Sequence, residues 1–246
     1  MSAGISLVTL NIERSKHADR VAPFLKGSSA DVVCLQELME YDIPFFEASV
    51  GARCYFTGTT RHPAEGKPGI FGIGIFSKLP VAHFERRFYH DTGIPKMTFD
   101  FTDAASKHRT ESHALALCDV EKDGVMCRIA TTHFTWTPDG RADDFQRQDL
   151  KVLLEALEGE ELVLTGDFNA PRGGEIWSAL AARYTDNIPP RIITTIDGGL
   201  HRAGDLQLVV DGIFSTPAYR ISDVALKDGL SDHMAVCATA EKLSHS

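Results

Sequence analysis

Short apolar runs recur along the chain, many rich in Val and Ile, and each stops at Gly, Pro, Asp or another polar residue. Such runs read as strands packed on at least one face. They predict strands over 5–10, 31–35, 53–57, 70–77, 81–86, 114–120, 125–132, 161–165, 206–214, 218–225 and 234–240. Val120-Glu-Lys-Asp-Gly124 reads as a hairpin turn, because Asp-Gly supplies the positive φ it needs. A helical period appears at Ala18, Val21, Ala22 and Leu25, with Ser15 as the expected N-cap. It appears again at Leu150, Leu153, Leu154 and Leu157, ended by Gly159. A third helix is expected near 175–182. The segment 87–113 mixes aromatic and basic residues and is expected to be an irregular excursion forming a substrate wall. Many strands and few helices predict an α+β sandwich with packed sheets inside and helices outside.

Composition narrows the class. With 43% hydrophobic and 24% charged residues over 246 positions, the chain can bury a full core, and no linker or repeat divides it. One domain over residues 1–246 is expected. A net charge of −9 argues against a general nucleic-acid-coating surface but not against a site that grips one phosphate beside a metal. Five cysteines, an odd number without Cys-x-x-Cys, argue against a disulfide framework or a zinc–thiolate site. The first residues, MSAGISLVTLNIE, enter strand-like sequence at once, and no run reaches membrane-spanning length. A cytoplasmic protein without a membrane anchor is the expectation.

The informative polar residues stand where apolar runs end. Asn11 ends the first; Glu37 follows the second; His133 ends the seventh; Asp167 and Asn169 follow the eighth; Asp232 and His233 precede the last. Each taken alone also reads as an ordinary turn or solvated residue. Asp211 is different, because it sits among Leu208, Val209, Val210, Ile213 and Phe214. A carboxylate buried there requires a partner, and a histidine is the natural one. No Gly-x-Ser-x-Gly, phosphate-binding P-loop or His-Glu-x-x-His motif occurs, and Gly72-Ile-Gly74 is no dinucleotide fingerprint.

The ordered set VTLNIE, DVVCLQE, GIGIFSKLP, TTHF, LTGDFNAP, LVVDGIF and LSDHMAV resembles the endonuclease/exonuclease/phosphatase superfamily, the DNase I-like proteins. The stretch THFTWTPDGRADDFQRQDLKVLLEAL is similar to the tyrosyl-DNA phosphodiesterase 2 branch. The resemblance implies a four-layer α/β/β/α sandwich and hydrolysis of a phosphate ester by in-line attack of water, the substrate being nucleic acid, a phosphotyrosyl linkage, a lipid or a sugar phosphate. It implies Mg2+, with Mn2+ as the alternative ion, held chiefly by Glu37 with Asn11 beside it, and Asp232 near the same ion or a second one. Asp167 would activate the water with Asn169 beside it. His233, held by Asp211, and His133 would contact the phosphate. Trp136 and Arg141 are the candidate substrate contacts. Two other classes compete: a non-catalytic phosphate-binding module on the same fold, and a serine hydrolase using Ser231 beside His233.

Overall fold

The computed structural model describes residues 4–63, 67–98, 100 and 102–244. In chain order the elements begin β1 (Ile5–Asn11), α1 (Ala18–Gly27), β2 (Val32–Met39), α2 (Ile43–Val50), β3 (Arg53–His62), β4 (Gly69–Ser77) and β5 (Val81–His90). They continue α3 (Ala104–Thr110), β6 (His113–Lys122), β7 (Val125–His133), α4 (Asp144–Ala156), β8 (Val163–Asp167) and α5 (Glu175–Ala181). The last are β9 (Thr185–Asp186), β10 (Asp211–Ser215), β11 (Tyr219–Lys227) and β12 (Ala235–Lys242).

The strands form two six-stranded sheets, ordered β11-β12-β1-β2-β4-β3 and β5-β6-β7-β8-β10-β9. Each sheet holds one parallel pair, β1 with β2 and β7 with β8. A parallel neighbour requires a crossover, and α1 and α4 provide the two. The other pairings between these strands are antiparallel, including the β6–β7 hairpin, whose turn places Asp123 and Gly124 at φ 53 and 78. This is the α+β sandwich the patterning predicts.

Both faces of the central strands are apolar because both are covered. Along β1, Leu7 joins Cys34, Ile75, Leu117, Ile129 and Leu164 in the cluster between the sheets. Its neighbour Val8 turns outward with Leu10, Val33 and Leu35 to meet Val21 and Leu25 of α1 and Phe46 and Val50 of α2. On the other sheet α4 and α5 contribute Leu153 and Trp177. The described residues include no helix long and apolar enough to cross a membrane.

Several boundaries differ from the sequence reading. Ser15 does not cap α1; its hydroxyl donates to Asp42 Oδ2, while His17 stands at the cap position. Asp143 caps α4 by accepting from the Gln146 amide at 2.8 Å. Residues 206–210 are extended but form no strand. Their carbonyls are taken by separate loops: Leu208 O accepts from Thr195, Val209 O from Arg172 and Val210 O from Phe168. Helix α2 escaped prediction because IPFFEASV has no clean polar face, Phe46 being buried and Phe45 exposed. The excursion holds α3, which Asp103 caps by accepting from Ala105 and Ser106; Phe99 and Phe101 lie outside the described residues.

Candidate active site

Strand register assembles the site. In the second sheet His133 lies opposite Asp167, and Asp167 opposite Asp211. In the first sheet Asn11 lies opposite Gln36, one residue before Glu37. The carboxyl ends of the two parallel pairs thus open onto one edge of the sandwich. Glu37 sits at φ 58, where the β2–β4 register shifts between Leu35 and Leu38. That bulge takes its side chain out of the strand's regular alternation.

Gly166 shows how tightly β8 is drawn against β7. Its φ is 140, and a Cβ there would stand 2.0 Å from Thr132 O. Only glycine fits this approach. Two residues on, Asn169 turns at φ 49, a left-handed conformation asparagine tolerates. Its backbone N–H donates back to Asp167 Oδ1 at 2.8 Å, and its side-chain amide donates to Phe134 O at 2.8 Å. Asn169 therefore locks the turn carrying Asp167.

Asp167 is the centre of the cluster. It is 1% exposed, and Asn11 Nδ2 donates to its Oδ2 at 3.0 Å. His133 Nε2 and His233 Nε2 stand 3.6 and 3.7 Å from the same oxygen. Burial opposes charge on Asp167, but His233, His133 and the donors from Asn11 and Asn169 outweigh it and hold the carboxyl below its ordinary range. His233 Nδ1 donates to Asp211 Oδ2 at 2.8 Å. That bond fixes the ring and leaves Nε2 aimed at Asp167. Burial disfavours the imidazolium, yet Asp211, Asp167 and Asp232 together raise the His233 pKa well above its usual value. Burial and Asp167 push Asp211 upward, so the two partners shift in the same direction. With three carboxylates around one imidazole, the proton resides on His233. The Thr195 hydroxyl accepts from the Asp211 backbone amide at 3.1 Å.

The expected cation ligands lie on the same floor. Glu37 Oε1 accepts from Asn11 Nδ2 at 3.4 Å, and Arg14 Nη1 reaches Glu37 Oε2 at 3.2 Å. The Asn11 amide oxygen accepts from the Glu13 backbone at 3.1 Å, so its nitrogen faces the cluster. In this arrangement Asn11 orders Glu37 and Asp167; it becomes an oxygen ligand only when the amide turns over. Asp232 is pushed up to about 6 by burial, with Glu37 and Glu13 adding to it against the pull of His233. Glu13, Glu37 and Asp232 line one cavity without any thiolate, a donor set suited to a hard divalent cation. A second grouping able to take an ion, Asp167, Asp211 and His233, has ligand atoms within 4.8 Å of one another.

The cavity has a volume of about 560 Å3. Asn11, Glu37, His133, Asp167, Asn169, Asp232, His233 and Trp136 line it, and Asp211 stands behind His233. Arg141 does not line it: its side chain is 89% exposed and faces Asp139. Ser231 is fully buried and donates to Asp232 Oδ1 at 3.1 Å, away from the cavity lining. Arg14, His62, Lys107 and Glu111 also line the cavity but carried no sequence signal. Arg14 stands three residues past Asn11 and could have been sought there; Lys107 lies in the unreadable excursion. Its ammonium sits 4.8 Å from the centre of the Trp136 ring, a cation–π contact joining two cavity walls. His201 and Arg202 also line the cavity, while Asp197 accepts from the Gly199 and Gly229 amides.

The profile of the Endonuclease/Exonuclease/phosphatase family matches residues 8–233. The chain belongs to that family. Its members are hydrolases of phosphate esters and typically use divalent metals. No curated protein matches the sequence. Among solved structures it is similar to an endonuclease/exonuclease/phosphatase from Beutenbergia cavernae, with a TM-score of 0.75, 16% identity, 98% of this chain covered and 72% of the other. The human Nocturnin catalytic domain with bound sulfate gives a TM-score of 0.72 and 16% identity, covering 98% and 94%. A mannosyl-6-phosphatase from Bacteroides thetaiotaomicron gives 0.70 and 12%, covering 96% and 99%. At these identities the likeness is one of fold.

Proposed function

We propose that the protein is a divalent-metal-dependent hydrolase of phosphate esters, phosphodiesterase- or nuclease-like, in which water attacks phosphorus in line with the leaving oxygen. The observation carrying this reading is the buried Asp167 carboxylate, held by Asn11 and Asn169, with imidazole nitrogens 3.6 and 3.7 Å away. A charged acceptor beside two imidazoles matches what the reaction needs: a fixed water and donors for a phosphoryl group. Asp167 orients the water and accepts its proton as the O–P bond forms. Its depressed pKa makes it a weak base, so orientation is the larger part of its role. His233, with Nδ1 fixed on Asp211, donates from Nε2 to a non-bridging oxygen and balances its charge. His133 adds a second donor.

Glu37 and Asp232, with Asn11 after its amide turns, are the residues that would hold Mg2+ or Mn2+. Bound there, the ion supplies positive charge to the phosphoryl and leaving oxygens. The cavity of about 560 Å3 and the absence of a basic balance in a chain of net charge −9 support a substrate gripped at one phosphate rather than along a duplex. The same cavity volume suits a second reading, a sugar-phosphate substrate, in line with the name of the Bacteroides neighbour.

The test is a panel of phosphomonoesters, phosphodiesters, single-stranded and duplex DNA and phospholipids, assayed with Mg2+ or Mn2+ and again with EDTA. Hydrolysis lost to chelator and restored by metal is expected. Chelator-resistant turnover, or none on any ester, would overturn the proposal.

A further inference from the structure

Outside the cavity, three elements bring two imidazoles and a carboxylate together. His90 ends β5, His108 lies in α3 and Asp149 lies in α4. One ligand atom from each falls within 4.8 Å of the others. His90 Nε2 donates to the His108 backbone carbonyl at 2.6 Å. The opposite nitrogen, Nδ1, faces Asp149 Oδ1 at 3.0 Å. His108 Nε2 is shielded from solvent, has no hydrogen-bond partner and stands 3.9 Å from Asp149 Oδ2. The Thr135 hydroxyl donates to that oxygen at 2.5 Å.

From this arrangement we propose that His90, His108 and Asp149 form a second, structural cation site that takes a borderline transition-metal ion, Zn2+ first. Two imidazoles and a carboxylate are ligands zinc accepts. Ligands at zinc's bond lengths around a tetrahedral centre lie about 3.3 Å apart. The two imidazoles face the two oxygens of the Asp149 carboxylate at 3.0 and 3.9 Å, on either side of that value. The surroundings are those of a prepared site: a ligating histidine usually donates its other N–H to a backbone carbonyl, and a ligating carboxylate is itself hydrogen-bonded. Here His108 O and Thr135 Oγ1 do both. Burial and the nearby His90 depress the His108 pKa, which keeps its lone pair free. The His90 and His108 side chains are 15% and 17% exposed, so the cluster lies close to the surface. Without an ion, a proton on His90 Nδ1 must bridge to Asp149.

The ion would tie the excursion to α4. Lys107 and Glu111, which flank His108, line the catalytic cavity, and Thr135 precedes Trp136 on the opposite wall. The clip would therefore set the spacing of both walls without touching substrate. The inference stands independently of the proposed hydrolase activity.

The test is equilibrium dialysis of the chelator-stripped full-length protein against Zn2+ in excess Mg2+, with Co2+ absorption reporting nitrogen ligands. An Asp211→Asn/His233→Ala double variant removes the catalytic grouping as a competing site. The wild type and the double variant are each expected to bind Zn2+ at this site. His108→Ala, which leaves the His90–Asp149 pair in place, is expected to weaken that binding at least about tenfold. His90→Gln gives an independent check with the same expected direction. No zinc uptake by the wild type, loss of it in the double variant, or wild-type affinity in His108→Ala would overturn the proposal.

Discussion

Asn11 Nδ2 donates to Asp167 Oδ2 at 3.0 Å although 156 residues separate the two in sequence. This bond spans the two sheets, joining the end of β1 to the end of β8. Gln36 bridges the same gap one layer deeper, donating to Thr131 Oγ1 at 2.9 Å and to Thr9 Oγ1 at 3.1 Å. The edge that carries the candidate site is therefore cross-braced by buried polar contacts, which hold its charged groups in place.

Replacing Asp167 or His233 by alanine is expected to lower turnover by about 100- to 1000-fold, the usual cost of losing a preorganised catalytic group. Far-UV circular dichroism should show the fold retained in each variant. Near-wild-type turnover by either folded variant would remove that residue from the mechanism.

Asp211→Asn tests how His233 keeps its charge. Asp211 is among the carboxylates that raise the His233 pKa against burial. Neutralising it favours the uncharged ring, so the alkaline limb of kcat against pH should move to lower pH. The stability linked to this imidazolium is fully present below the ordinary histidine pKa and is lost as pH rises through the elevated value. In Asp211→Asn that loss should begin at lower pH in urea denaturation. An unmoved alkaline limb would contradict the assignment.

Glu37→Gln removes the carboxylate charge facing Asn11 and Arg14 while preserving the side chain's shape. The Mg2+ concentration giving half-maximal activity should rise at least about tenfold. A metal titration identical to wild type would shift the cation to the Asp167–Asp211–His233 grouping.

Gly166→Ala should destabilise the protein although the change is one methyl group. The new Cβ would stand 2.0 Å from Thr132 O, at a φ of 140 that alanine avoids. Strained backbone of this kind costs about 1–3 kcal/mol before the clash is counted. Chemical denaturation should read at least that loss; a neutral result would mean that β8 sits further from β7.

Much of this was legible in the chain itself. Apolar runs such as that of β1 announced strands because a strand covered on both faces is apolar along most of its length. Asp211 announced a partner because an isolated carboxylate among Val209, Val210 and Ile213 is untenable. Where local chemistry was mute, prediction stopped. Helix α2 has no polar stripe, and residues 206–210 resemble a strand yet bond to separate loops. The sequence also placed Arg141 near substrate, whereas its side chain points outward beside Asp139.

By itself, then, the sequence determined the strands, the polar residues at their ends and the family, because hydrophobic periodicity and ordered motifs are local properties of the chain. The tertiary structure alone decided that Arg14 and Lys107 face the cavity, that Arg141 points away from it, and that His90, His108 and Asp149 meet. Those contacts join segments far apart in sequence, and only sheet register and packing between layers bring their side chains within bonding distance.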